Sequence, residues 1–161
     1  MNAKTQKWKA AQALVEFTLL APVFFLILLG GLDSGRAALY YVAAADLART
    51  AARDAAAYDI GQGLTDSQIV ALVKKQSDSL TMGNLSQPAT CGTSTPPNPL
   101  TSCYQPSAGQ TYIFIDRTGL TAFPKYVKVS IVFHFEPSTP LVRAVWSTFY
   151  LVATASMVTE Y

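Results

Sequence analysis

Sixteen consecutive uncharged residues near the N-terminus constrain the fold most: Phe17–Leu32, with the sequence FTLLAPVFFLILLGGL. As a helix they cover about 24 Å, which is less than the roughly 30 Å hydrocarbon core of a bilayer. A helix that begins at Ala10 is about 34 Å long and does cross it. That extension brings Glu16 to membrane depth, where an ionised carboxylate costs about 2.5–3.5 kcal/mol or more. The sequence therefore predicts a membrane-spanning helix that contains one charge in need of an explanation.

The distribution of charge predicts how this helix is oriented. Lys4, Lys7 and Lys9 precede it, and they account for the net charge of +2, because residues 12–161 carry 9 basic and 10 acidic side chains. Basic residues on one side predict an N-terminus in the cytoplasm and a chain that continues on the other side of the membrane. Only 14% of the residues are charged, against about 25% in ordinary soluble domains, which argues against a freely soluble cytosolic enzyme. No clustered basic face indicates nucleic-acid binding.

Three interpretations of the apolar segment remain open. It resembles a cleaved signal peptide with small residues at Gly30, Gly31 and Ser34, although helix-forming sequence continues beyond them. It also resembles a plain membrane anchor, which leaves Glu16 unexplained. In the third interpretation, which we favour, the helix leaves the membrane sideways into a helical bundle, where Glu16 meets a cation.

An alanine-rich stretch extends the helix well beyond the apolar segment. Residues 37–57 contain eleven alanines and neither glycine nor proline, so their helix propensity is high. Their apolar residues recur at steps of three and four and form one stripe: Ala44, Leu47, Ala48, Ala51, Ala55 and Tyr58. We predict one helix from about Ala10 to Ile60, ended by Gly61 and Gly63. Pro22 lacks a backbone donor and is expected to kink it.

The remaining sequence predicts an α+β domain. A short helix is expected over Thr65–Leu80, with Thr65 and Gln68 as a capping box and with Ile69, Leu72, Val73 and Leu80 on one face. Strands are expected at Tyr112–Ile115, Tyr126–Phe135 and Leu151–Tyr161. In the second of these, alternate residues from Val127 to Phe135 are apolar and should face the long helix. An antiparallel sheet packed on the outer half of that helix follows.

Residues 83–110 are rich in proline, glycine, serine and threonine, which predicts a long loop rather than core. Cys91 and Cys103 both lie in it. Two cysteines in a segment outside the cytoplasm most simply form a disulfide; free thiols and metal ligation are the alternatives. With one histidine and no CxxC motif in the chain, a metal site lacks ligands. His134 is expected to be a structural residue, since no catalytic motif accompanies it.

Several motifs together resemble the TadE-like family, the pseudopilins or minor pilins of tight-adherence (type IVc) pilus systems. They are QALVEF at Gln12–Phe17, the apolar run with Pro22, GLDSGRA at Gly31–Ala37, the alanine-rich continuation to residue 60, and a C-terminal pattern within residues 126–161. The resemblance implies cleavage by a prepilin peptidase between Ala11 and Gln12, which makes Glu16 the fifth mature residue. The family usually has glycine where this chain has Ala11.

The resemblance implies three parts of the chain: a cytoplasmic leader at 1–11, a transmembrane and assembly helix at 12–36, and a pilin-like head at 37–161. It implies as partners a major Flp-type pilin, a second TadE-like minor pilin, the prepilin peptidase, the inner-membrane assembly platform and the lipid bilayer. We therefore expect a minor pilin, first in the cytoplasmic membrane and then in the pilus at the cell surface, with no enzymatic activity, cofactor or metal. The alternative is an uncleaved single-pass envelope protein with an extracytoplasmic binding domain.

Overall fold

The computed structural model describes residues 3–58, 64–79, 82–88, 91, 95–121, 125–145 and 149–158, and gives only the backbone for residues 3–10, 58, 79 and 141. The elements follow in the order α1 (Ala3–Tyr58), α2 (Asp66–Ser79), β1 (Asn84–Ser86), β2 (Gln110–Asp116), β3 (Tyr126–Phe135), α3 (Pro140–Val145) and β4 (Phe149–Val158). The chain forms two compact units. The first comprises Met1–Arg36 with Pro137–Ser147, and the second comprises Ala37–Glu136 with Thr148–Tyr161.

Helix α1 confirms the prediction of one long helix and begins seven residues earlier than expected, at Ala3. It continues through Pro22, so the missing backbone donor does not end it; the predicted kink stays a prediction. Thr18 lies four residues before Pro22, and its hydroxyl donates to the Leu14 carbonyl at 2.7 Å. The predicted helix stops at Gly61 and Gly63 lie outside the described residues.

The sheet has the strand order β1-β2-β3-β4. The two pairs that involve β3 are antiparallel, as predicted, with Ile131 opposite Ile113 on one side and Ala153 on the other. One pair departs from the predicted antiparallel arrangement, because β1 pairs with β2 in parallel. Parallel neighbours need a long crossover connection, and here residues 87–109 supply it. The sheet is therefore mixed and the fold is α+β, as expected.

The alanine stripe of α1 packs against the sheet in the core of the second unit. Ala44, Ala48 and Ala51 are fully buried together with Val129 and Ile131 of β3, which confirms the predicted inward face of that strand. The Tyr40 ring lies 5.1 Å from the Phe133 ring. Because alanine has so small a side chain, the helix can approach the sheet closely.

Helix α2 also contributes to this core, with small differences from the prediction. Ile69 and Val73 are buried, but Leu72 is 46% exposed, and Leu80 lies outside the described residues. At the start of the helix, the side-chain oxygen of Gln68 accepts hydrogen bonds from the backbone N–H and the hydroxyl of Thr65, both at 2.9 Å. One half of the predicted capping box therefore forms: Gln68 satisfies the Thr65 donor.

Part of the other face of the sheet, over β2 and β3, is covered by the segment that contains the disulfide. Cys91 and Cys103 are bonded, with their Cα atoms 5.6 Å apart, and the neighbouring Tyr104 ring lies 4.9 Å from the Phe114 ring of β2. Val132 of β3 is consequently buried although it points away from α1. The predicted loop thus contributes to a second buried layer, and its first residues supply strand β1.

The single histidine of the sequence contacts the same segment. His134 Nδ1 lies 3.0 Å from the Pro106 carbonyl oxygen, and because that oxygen can only accept, Nδ1 donates. Its ring packs on Tyr150 at 4.9 Å. Nε2 has no hydrogen-bond partner among the described residues. These contacts agree with the structural role expected of His134.

A buried carboxylate holds the covering segment to the end of β2. Asp116 accepts two hydrogen bonds from Thr118, at 2.9 and 2.6 Å, and two from Thr95, both at 3.2 Å. Burial alone would raise the pKa of Asp116, but these hydrogen bonds to the charged form outweigh it and hold the pKa below its ordinary value. The charged carboxylate therefore stabilises this junction.

Arg117, the next residue, connects three elements of the second unit. Its Nη1 donates to the carbonyl of Ala55 at 3.0 Å, and its Nε and Nη2 donate to Oδ1 of Asp66 at 3.0 and 2.7 Å. The Ala55 carbonyl is one of the last four of α1, which lack partners within the helix. Asp66 is the first residue of α2, where a negative charge suits the helix dipole. One guanidinium thus joins the end of α1 to the start of α2.

Candidate functional site: the exposed half of the first helix

The N-terminal half of α1 carries large apolar side chains on all sides, and these side chains are exposed. Eleven of them between residues 14 and 32 are 45–70% exposed: Leu14, Val15, Phe17, Leu19, Leu20, Val23, Phe24, Phe25, Ile27, Leu28 and Leu32. A helix that is apolar on all sides is stable only inside a membrane or among other helices. Among the described residues, α1 is the one helix long and apolar enough to cross a membrane.

Glu16 lies within this apolar surface. Its Oε1 accepts a hydrogen bond from Gln12 Nε2 at 3.2 Å, one helical turn earlier. The ion pairs found in the described part of the chain join Asp33 to Arg36, Asp46 to Arg49 and Asp66 to Arg117, and none involves Glu16. The charge of Glu16 thus has one amide partner and no cation in this part of the protein.

The predicted cleavage position lies on the same exposed surface. Ala11 and Gln12 are exposed residues of α1, and the bond between them is inside the helix. An α-amino group created at Gln12 would lie four residues before Glu16, a rise of about 6 Å. Pro22 lies ten residues beyond Gln12, in the middle of the apolar segment.

A buried carboxylate at the other end of the apolar segment was not identified from the sequence. The side chain of Asp33 is only 5% exposed. It accepts hydrogen bonds from the Thr139 hydroxyl at 2.5 Å, from the Thr139 N–H at 3.4 Å and from the Ser138 N–H at 3.3 Å. Arg36 contacts both Asp33, at 3.4 Å, and Ser138. These bonds fix residues 137–145 to α1.

The sequence did carry a signal for one side of this contact. The run Ser138-Thr139-Pro140 is typical of a helix start, with threonine as the cap and proline in the first turn. α3 does begin at Pro140, and the Arg143 N–H donates to the Thr139 carbonyl at 3.0 Å. Nothing in the sequence connects this start to Asp33, because more than one hundred residues separate them.

An apolar groove of about 450 Å³ lies between α1 and α3 within the first unit. Its lining consists of Leu26, Ile27, Gly30, Gly31, Ser34, Val142 and Val145. A Cβ atom added at Gly30 or Gly31 would meet no neighbour within 4 Å, so neither position requires glycine for space. The two glycines leave this part of the helix surface low and thereby form the floor of the groove.

The described residues bring no other reactive groups together. They contain no cluster of three or more His, Cys, Asp or Glu side chains that could hold a metal ion. The two cysteines are used in the disulfide, which decides against free thiols and against metal ligation at these positions. The arrangement that stands out chemically is therefore the helix surface, with a carboxylate near each end of its apolar segment.

This combination defines a class: an α+β protein whose N-terminal helix is exposed and apolar in its first half and packed on a sheet in its second. Residues 11–53 match the model of the TadE-like protein family, which confirms the resemblance over this part of α1. The match ends before the predicted C-terminal pattern at 126–161, which stays a prediction. No curated protein and no solved structure matches the chain.

Proposed function

We propose that this protein is a minor pilin, or pseudopilin, of a Tad-type pilus. The apolar half of α1 holds it in the inner membrane with its N-terminus in the cytoplasm. A prepilin peptidase cuts between Ala11 and Gln12, and the mature chain then joins other pilins through the same helix surface. The observation that carries the proposal is the exposed helix itself, whose apolar side chains have no cover in the described part of the chain.

Glu16 provides the reason for cleavage. Before the cut, the amide of Gln12 is its neighbour; after it, Gln12 carries an ammonium group one turn away. An opposite charge that close, on the same chain or on a neighbouring subunit, compensates the carboxylate in an apolar surrounding. Removal of residues 1–11 also removes three lysines, which would otherwise oppose extraction of the helix from the membrane.

The second unit is the part that partners recognise outside the membrane. In this unit α1 packs on one face of the sheet, whereas Val152, Met157 and Val158 of β4 are 36–59% exposed. We infer that it contacts a major Flp-type pilin and a second TadE-like subunit, and that the assembly platform engages the membrane helix. The proposed role is assembly and not catalysis.

Mass spectrometry of the N-terminus tests the cleavage. After co-expression with a prepilin peptidase, a chain that begins at Gln12 is expected. The Ala11→Gly variant restores the usual residue before the cut and should be processed at least as completely. An intact N-terminus in both variants contradicts the proposal. A cut in Ala11→Gly alone would show that Ala11 makes this chain a poor substrate.

Substitution of Glu16 tests the assembly step separately. Glu16→Ala should insert into the membrane normally but be depleted from sheared pilus fractions, and Glu16→Gln should behave in the same way because it also lacks the charge. Thr18→Ala is the matched control, because residue 18 lies on the same exposed surface and neither threonine nor alanine carries a charge. Normal amounts of Glu16→Ala and Glu16→Gln in pili would contradict the charge-pairing role.

One observation favours the alternative of an uncleaved, single-pass envelope protein. The bond after Ala11 lies inside a continuous helix, where the backbone is less accessible to a peptidase than an extended segment. Under this alternative, Ala11→Gly remains intact and the full-length chain stays in the membrane fraction. The sheared pilus fraction then contains no chain that begins at Gln12.

A further inference from the structure

We propose that residues 137–145, hereafter the foot, rest on the outer surface of the membrane and fix the depth to which α1 is inserted. The foot contains α3 and belongs to the first unit. The inference rests on the membrane-spanning role proposed for α1 and adds a second, separate membrane contact. Its intended partner is the interface of a phospholipid bilayer.

The position of the foot along α1 places it at the level of the lipid headgroups. The uncharged run ends at Leu32, and the groove between α1 and the foot extends from Leu26 to Ser34, a rise of about 12 Å. Headgroup layers add about 5–8 Å on each side of the hydrocarbon core. The lower end of the groove thus lies among acyl chains and its upper end among headgroups.

The exposed side chains of the foot suit that boundary. Val142 is buried in the groove, whereas Val145 is 67% exposed next to it. An exposed valine beside an apolar groove is unfavourable in water, but it gains a lipid environment at this depth. The groove itself is lined almost entirely by apolar atoms, so acyl chains can fill it where water would gain few hydrogen bonds.

Charge complementarity supports the same partner. Arg143 is the sole charged residue of the foot; its side chain is exposed, and its Nη2 donates to the Pro137 carbonyl of the foot at 3.3 Å. Arginine at this level extends its charged end toward phosphate groups while its methylenes stay near the apolar layer.

Asp33 keeps the foot at this level. Its carboxylate accepts bonds from the Ser138 N–H and from the N–H and hydroxyl of Thr139, and these bonds hold the start of α3 one residue beyond the uncharged run. Asp33 is thus a positioning residue: it makes no contact with lipid itself, but it fixes the foot beside the outer end of the apolar segment.

Spin labels measure this depth directly. Single nitroxides are attached to Val145→Cys, Phe24→Cys and Lys74→Cys in the full chain, with the native disulfide intact, in vesicles of phosphatidylethanolamine and phosphatidylglycerol. Collision rates with oxygen, which concentrates in lipid, are compared with those of a water-soluble nickel chelate. The oxygen-to-nickel ratio at residue 145 should exceed that at the exposed α2 residue 74 several-fold and approach the ratio at 24.

Each outcome decides the proposal. An oxygen-to-nickel ratio at residue 145 equal to that at residue 74 places the foot in water and overturns the proposal. Low collision rates with both reagents mean that protein covers the foot, and this result also overturns the proposal. A water-like ratio at residue 24 would instead show that α1 does not span the bilayer, so the two failures are distinguishable. Asp33→Ala should shift the 145 label toward water by several-fold, whereas Asp46→Ala, on the exposed surface of α1, should not move it.

Discussion

Replacement of Arg117 by methionine is expected to destabilise the second unit substantially, because it removes a cation from between two helix ends. The bond from Nη1 to the Ala55 carbonyl is a charged hydrogen bond to a helix terminus, and such bonds contribute about 1.5–3 kcal/mol. The ion pair with Asp66 is partly exposed, with side-chain exposures of 21% and 36%, so it adds about 0–1 kcal/mol. The expected loss is about 1.5–4 kcal/mol in the free energy of unfolding.

Urea unfolding of the full chain in a mild detergent, followed by near-ultraviolet circular dichroism, measures this loss. Arg49→Met is the matched control, because Arg49 pairs with Asp46 at 3.1 Å on the surface, where both side chains are at least two-thirds exposed. That variant should change stability by less than about 0.5 kcal/mol. The reasoning is refuted if Arg117→Met and Arg49→Met unfold within about 0.5 kcal/mol of each other.

Three further predictions concern the same unit. The pKa of Asp116 is lower in the folded chain than in the unfolded chain. The stabilisation that its carboxylate gives to the fold is therefore complete above the unfolded value of about 3.9 and is lost as the pH falls through the folded value. The difference in unfolding free energy between wild type and Asp116→Asn should shrink below about pH 4. Gly83 and Gly109 both have positive φ angles, but of the two only Gly83 lies where an added Cβ would collide with backbone, at the Gly109 carbonyl. Gly83→Ala should therefore lower the free energy of unfolding in urea by about 1–3 kcal/mol more than Gly109→Ala does. Replacing Cys91 and Cys103 together by serine opens a twelve-residue loop and should cost about 3 kcal/mol by the same measurement.

Much of the fold follows from periodicity. The period of two in Tyr126–Phe135 predicted β3 with its bounds as observed, and the alanine stripe predicted the packed face of α1. The parallel strand β1 was missed because three residues, Asn84–Ser86, are too few to show any period. They form a strand only because the connection at 87–109 returns the chain beside them, which is a tertiary effect that local sequence cannot express.

The candidate site was predictable at one end of the apolar segment and not at the other. A charge inside an apolar run identifies Glu16 directly, since the cost of that charge is a local property. Asp33 looked like the ordinary end of an apolar segment, and its role depends on Ser138 and Thr139, far away in the sequence. Contacts of this kind carry no periodicity, so the carboxylate that positions the foot became visible only in three dimensions.

The size of the apolar side chains along α1 explains how one helix serves two environments. Between residues 14 and 32 they are large and exposed, and between Ala44 and Ala55 they are mostly alanine and buried. Large side chains contribute the most free energy of burial where they pack among lipid chains or other helices. Alanine buries less apolar area, but its small side chain lets the helix approach the sheet closely. Under the proposed function, the first half exchanges lipid for neighbouring helices while the alanines of the second half stay packed on the sheet. That independence is what a subunit needs if it is to move from a membrane into a filament without unfolding.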